Sequence, residues 1–208
     1  MRADLRSALV AAAVLGAFAL VGTAVVTFAE YTTRVRIAEN QRAALLESLA
    51  LVVDPARYDN DLLADTIEVV APAALGTDEA VTVYRARRRG EPVAIVLTAF
   101  APDGYAGPIA VLVGVNVDGT VAGVRVLEHH ETPGLGDPIE ASRTDWILGF
   151  TGRSLGDPPP ARWTVRRDGG AFDQFTGATI TPRAVIHAVR RALEYVGAHK
   201  EALFERRD

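Results

Sequence analysis

Ile109-Ala110-Val111-Leu112-Val113-Gly114-Val115-Asn116-Val117-Asp118-Gly119-Thr120-Val121-Ala122-Gly123-Val124-Arg125-Val126-Leu127 is the stretch that decides the fold. Two runs rich in β-branched residues, 109–117 and 121–127, flank Asp118-Gly119, a dipeptide suited to the positive φ of a hairpin turn. The spacing predicts an antiparallel pair. Some of the chain's strand-like runs are apolar on both faces, so those strands are expected mid-sheet. Upstream, Val81 to Ala86 and Val93 to Phe100 read as two more strands around a turn at Arg89-Gly90-Glu91-Pro92.

Other segments carry a helical period. A helical candidate spans Leu62 to Val69, and a second spans Asp145 to Phe150, with Trp146, Ile147 and Phe150 on one side. Asp157 to Pro160 forms a Pro-rich loop, and Trp163 to Arg167 reads as a strand. A long helix is expected from Pro182 to about Arg206, burying Val185, Val189, Ala192, Leu193 and Val196. Thr181 suits its N-cap and Pro182 its first turn. The predicted class is α+β, a mostly antiparallel sheet packed by helices.

The front of the chain differs. Ser7 to Ala29 holds no charge, and about 20 residues from Leu9 to Phe28 are long enough for a helix to cross a bilayer. The apolar region of a signal peptide is shorter, and Thr27-Phe28-Ala29 is a weak cleavage site, so a retained single-pass anchor is expected. The expected organisation is an anchor at 1–29, a helical stalk at 30–53 with Ala38, Leu45, Leu49 and Val52 on one face, and a folded domain at 54–208. Asp54-Pro55 ends the stalk. Arg2 and Arg6 on one flank nearly balance Arg34, Arg36 and Arg42 on the other, so charge leaves the orientation open.

Composition narrows the function. The 208 residues include no cysteine, which removes disulfides, thiolate-bound zinc, cysteine-ligated iron–sulfur clusters and a cysteine nucleophile. A net charge of −4 without a basic patch argues against a nucleic-acid partner. His129-His130-Glu131 makes a poor metal site, because neighbours on an extended segment point to opposite sides.

Two segments could carry chemistry. Thr176-Gly177-Ala178-Thr179-Ile180-Thr181 packs three hydroxyls, a Gly and an Ala before a helix start, where free N–H groups face an anion. Glu131-Thr132-Pro133-Gly134-Leu135-Gly136 follows a strand and places two glycines around a leucine. Each alone also reads as structure, a helix cap and a turn.

Together the two segments resemble the FMN-binding domain family. The Thr-Gly-Ala-Thr pattern after Asp173 is similar to its flavinylation motif, and 131–136 to its second flavin-contacting stretch. Tyr58-Asp59-Asn60, Val83-Tyr84-Arg85-Ala86, Gly104-Tyr105, Gly107-Pro108-Ile109, Gly123-Val124-Arg125-Val126-Leu127 and Asp145-Trp146-Ile147 extend the likeness to the G subunits of Rnf-type electron transport complexes, over roughly residues 45 to 199. The resemblance implies FMN held by a phosphoester on Thr179, attached by a separate flavin transferase using FAD. It implies flavin contacts from Glu131, Thr132, Gly134, Leu135, Gly136, Thr176, Gly177, Ala178 and Thr181. Thr176 stands where Ser is common, and Pro182 where Ser is often found.

The resemblance also implies an electron-carrier subunit, incomplete as an enzyme by itself. Its complex couples electron transfer between ferredoxin and NAD to ion translocation, beside membrane, iron–sulfur and flavin subunits. The implied location is the bacterial inner membrane with the domain on the periplasmic side. Two alternatives stay open on the sequence: the C-type flavin subunit of a sodium-pumping NADH:quinone reductase, and a membrane-tethered binding module without flavin.

Overall fold

The computed structural model describes residues 2–205, which fall into two compact units, Met1–Leu46 and Glu47–Asp208. Helix α1 (Arg2–Ala50) makes up the first unit and runs into the second. Leu9, Leu15, Phe18, Leu20 and Phe28 are each at least 63% exposed, so apolar side chains surround the helix with no protein cover. A helix apolar all round suits hydrocarbon, and this one is long and apolar enough to cross a membrane. The side chain of Ala38 lies outside the described residues.

The second unit is built on a five-stranded antiparallel meander: β1 (Thr66–Val69), β2 (Val81–Arg88), β3 (Glu91–Ala101), β4 (Ile109–Asn116) and β5 (Val121–Glu128). As expected for a mid-sheet strand, every residue of β4 from Ile109 to Val115 is buried, whereas β5 is an edge strand whose last four residues are half-buried or exposed. On one face Ile95, Leu97, Val111 and Val113 join Val185, Ile186, Val189 and Leu193 of the long helix α3 (Ile180–Ala198) in the main core. On the other, Val52 presses on the sheet where Gly114 and Gly123 leave room. A Cβ on Gly114 would stand 2.5 Å from Val52 Cγ1, and one on Gly123 2.7 Å from the Val52 carbonyl oxygen.

Both hairpins differ in detail from expectation. Between β2 and β3 the turn is the two residues Arg89 and Gly90, both at positive φ, and Pro92 lies within β3. The Arg89 N–H donates to the Asp59 carboxylate at 3.0 Å, which holds that unusual backbone. Between β4 and β5 the loop is four residues, 117–120. The Asp118 carboxylate takes bonds from the backbone N–H and hydroxyl of Thr120, at 2.9 and 2.6 Å, and so lengthens the turn.

Three further expectations are corrected. Thr66 to Val69, within the helical candidate at 62–69, is strand β1, because Thr66 and Ile67 pair with Tyr84 and Val83 of β2. Trp163 to Arg167 is no strand: it holds a single bridge from Val165 to Phe172 and then enters a 3-10 helix, Arg166–Asp168. Its alternation arises because Trp163 and Val165 plug into the core, and the Trp163 indole N–H donates to the Pro158 carbonyl at 2.9 Å. The final helix breaks at His199, so that α4 (Lys200–Phe204) can bury Leu203 and Phe204; Arg206 lies outside the described residues. Trp146 to Phe150 forms a 3-10 helix. The short α2 (Pro72–Leu75) ends at Gly76 in the left-handed region.

A buried charge cluster ties β2 to the chain before β1. Arg85 and Arg87, 4% and 5% exposed, donate through Nε to the two oxygens of Asp65 at 2.7 and 2.6 Å. Burial acts to raise the pKa of Asp65; the hydrogen bonds from Arg87 and Arg85, with their charges, outweigh it and hold the carboxyl below its ordinary value. The stabilisation is therefore present at neutral pH and is lost as pH falls through that lowered value. Asp65→Asn strands two buried guanidinium groups and is expected to cost about 3 kcal/mol or more at pH 7. Urea denaturation of the 47–208 unit against pH checks this: the gap from wild type should narrow below about pH 4.

Candidate functional site

The site begins where β5 ends. His129, just past the strand, accepts the Glu131 backbone N–H on Nδ1 at 3.1 Å, and its Nε2 lies 2.8 Å from the Glu140 carboxylate. An Nδ1 that accepts leaves the ring proton on Nε2, directed at Glu140. This arrangement turns the Glu131 side chain inward, where it is 5% exposed.

Glu131 joins three segments. Its Oε2 accepts from the Thr181 hydroxyl at 2.6 Å, and its Oε1 from the Ala106 backbone N–H at 3.2 Å. Two glycines fit around it. A Cβ on Gly136 would come within 2.7 Å of Glu131 Oε2, and one on Gly104 within 2.9 Å of Oε1. The loop from Thr132 to Gly136 closes as a turn, with the Leu135 and Gly136 N–H groups on the Thr132 carbonyl at 3.1 and 3.0 Å. Gly134 supplies the positive φ (+79°), and its N–H bonds the buried Asp137 carboxylate at 2.6 Å.

The second half of the site is the turn into α3. The Ala178 N–H bonds the Phe175 carbonyl at 3.1 Å across Thr176-Gly177, with Gly177 at φ +82°. Phe175 is braced by Trp146, whose ring centre is 5.2 Å away, while the Trp146 indole N–H donates to the Asp173 carbonyl at 2.8 Å. Gly177 also meets the other half: a Cβ there would lie 3.7 Å from Leu135 Cδ2.

Helix α3 starts two residues earlier than expected. Thr179 is its N-cap, and its side chain makes no capping bond. Thr181 lies in the first turn and is 1% exposed, because its hydroxyl is drawn to Glu131 rather than back to the helix end. The expected cap role of Thr181 is thus corrected. Pro182, one position further in, has no N–H to leave unpaired.

These elements enclose a cleft of about 140 Å³ lined by Tyr105, Glu131, Thr132, Leu135, Gly136, Gly177, Ala178, Thr179, Ile180 and Thr181. Eight of the ten residues expected from the sequence are among them. Gly134 shapes the loop from outside, and Thr176 is exposed on the turn. Tyr105 and Ile180 are additions to the expected set, although Gly104-Tyr105 belongs to one of the segments that carry the family likeness. A tyrosine set among small residues, Gly104-Tyr105-Ala106-Gly107, is the signal the sequence offers for it. Among the described residues no group of three or more His, Asp or Glu is placed to hold a metal ion.

The antiparallel meander backed by one helix, with a small-residue turn and an apolar-rimmed cleft at the helix start, falls in the class of FMN-binding domains on the strength of a family match. Residues 104–194 match the family described as FMN-binding domain, and residues 1–52 match the RnfG N-terminal region. The G subunit of the ion-translocating oxidoreductase complex of Pseudomonas aeruginosa is 50% identical over 198 residues, 95% of this chain and 92% of that protein. The G subunits from Vibrio atlanticus and Shewanella loihica are 47% and 44% identical, covering 91% and 97% of this chain and 90% and 95% of theirs. The chain belongs to the family of G subunits of ion-translocating oxidoreductase complexes.

The residues present fit FMN. A helix start with a half-buried, unbonded hydroxyl suits a phosphate, and exposed Leu135 and Ile180 (each 45%) suit a flat apolar ring. The isosteric change Thr181→Val leaves one oxygen of the buried Glu131 without its donor and is expected to cost about 1–3 kcal/mol. Thr179→Val, which breaks no hydrogen bond, should stay within about 0.5 kcal/mol. Urea denaturation of the flavin-free 47–208 unit compares the two.

Proposed function

We propose that this chain is a one-electron carrier whose FMN is joined through its phosphate to Thr179 Oγ. The carrying observation is how the three threonines of the turn differ. Thr181 is sealed and its hydroxyl committed to Glu131; Thr176 is exposed but outside the cleft; Thr179 lines the cleft with its hydroxyl unbonded. Of the three, only Thr179 is both free and at the site. Glu131, Thr132, Leu135 and Gly136 line the same cleft and are the proposed flavin contacts, with Gly134, Gly177 and Ala178 keeping the backbone open and Thr176 a neighbouring polar group.

FMN, when bound, accepts and gives up electrons one at a time; the chain positions and tunes it. The first turn of α3 would offer its amides and positive dipole end to the phosphate, worth about 0.3–1 kcal/mol to a surface anion. Attachment requires a separate flavin transferase with FAD as donor: the threonine oxygen takes the FMN phosphorus, AMP leaves, and the hydroxyl proton is released. In the same reading the complex couples ferredoxin–NAD electron transfer to ion movement. The domain sits on the periplasmic side of the inner membrane, where free flavin is scarce and a tether removes dependence on its concentration.

The test is co-expression of the full chain with a flavin transferase, followed by a denaturing gel viewed under ultraviolet light. A fluorescent band is expected for wild type, Thr176→Ala and Thr181→Ser, and a dark one for Thr179→Ala. A dark wild-type band beside a flavinylated control protein sinks the reading.

A further inference from the structure

We infer that Tyr105 is the aromatic side chain on which the isoalloxazine ring of FMN rests. The inference rests on the flavin reading above and adds to it a residue outside both motifs. Within the 47–208 unit Tyr105 is the most exposed large hydrophobic side chain among the described residues, at 68%. Exposed single aromatics are ordinary on surfaces. This one is set apart by its position on a cleft wall and by the way its backbone is fixed.

The fixation is specific. On one side of Tyr105, Gly104 fits only because it has no Cβ: one there would stand 2.2 Å from the Gly107 carbonyl oxygen and 2.9 Å from Glu131 Oε1. On the other, the Ala106 N–H is bonded to that same carboxylate oxygen. The loop is thus clamped at both neighbours of Tyr105 while the ring stays uncovered. The clamp is Glu131, whose other oxygen holds Thr181, two residues from the proposed attachment point. One buried carboxylate therefore sets the aromatic ring and the helix start in a common frame before any flavin arrives. Prior fixing of this kind lowers the ordering cost of binding.

The size of the cleft points the same way. At about 140 Å³ it is smaller than the roughly 300–1,000 Å³ of pockets that enclose ligands. A cleft of that size is too small to enclose the whole cofactor, so a flavin held at Thr179 would leave part of its ring surface on the rim. Leu135, Ile180 and Tyr105 are the exposed large apolar side chains of that rim. Of these only Tyr105 offers a flat face for offset stacking.

Flavin emission reads the contact directly. A phenol touching an excited flavin gives it an electron, which then returns, and the emission is lost; phenylalanine keeps the ring but is not oxidised under these conditions. The flavinylated full chain in detergent, wild type against Tyr105→Phe, is measured for covalent flavin per chain on a denaturing gel and for emission lifetime in the folded state. The expected result is equal flavin loading with a severalfold longer lifetime in the variant. Tyr105→Ala should also lengthen the lifetime and make the flavin more accessible to quenching by iodide. Equal loading with unchanged lifetime and unchanged iodide quenching overturns the assignment of Tyr105 while leaving the flavin reading intact. Absence of covalent flavin in all chains, beside a flavinylated control, overturns both.

Discussion

The site depends on the placement of one carboxylate. Glu131 is buried, has no cationic partner among its hydrogen bonds, and is satisfied by a hydroxyl and a backbone N–H from two different parts of the chain. A buried carboxylate is costly without such donors. The fold therefore favours arrangements in which the 104–107 loop, the 131–136 loop and the first turn of α3 come together. Gly104 and Gly136 serve the same end, since a side chain at either would occupy space the carboxylate uses. His129 and Glu140 act one step back by orienting the backbone that delivers Glu131.

The scaffold beneath this contact is rigid for a different reason. The central strands have cover on both faces: α3 on one, and the chain after α1 on the other, where Val52 fits against Gly114 and Gly123. Because Ile180 and Thr181 belong to α3 and Glu131 follows β5, the packing of α3 on the sheet fixes how far Thr181 lies from Glu131. The aromatic group of Phe150, Trp163 and Phe172, with Trp146 on Phe175, performs the same service for the turn at 175–178. Core packing and site geometry are in this sense one constraint.

What can be read from the sequence follows from which interactions are local. The hairpin at 109–127 and the buried stripe of α3 are periodic signals over many residues, and both stand in the structure. Thr66 to Val69 escapes a sequence reading because four residues are too few to show a period, and their pairing partner begins twelve residues later. Trp163 to Arg167 misleads because alternation marks burial on one side, with or without a ladder. Thr181 differs from expectation for a similar reason. Its local sequence is that of a cap, but its hydroxyl answers to Glu131 fifty residues away, a demand that no local pattern records. The distinction of Tyr105 is the clamp at its neighbours, which exists only in the folded chain.

The shallowness of the cleft bears on the proposal of a covalent bond. A carrier must present its flavin to donor and acceptor, and burying the ring would shield it from both. An exposed ring, however, gives up the apolar burial that would otherwise hold it, at about 25 cal/mol for each Å² left in water. The two demands conflict for a flavin held only by contacts. The bond to Thr179 proposed above would resolve the conflict, because retention would no longer depend on burial and the cleft would be left to orient the ring. On this view the small size of the site and the free hydroxyl at its edge have one cause. In that proposal a deeper cleft would make the tether redundant, and loss of the hydroxyl would leave only a shallow rim to hold the cofactor.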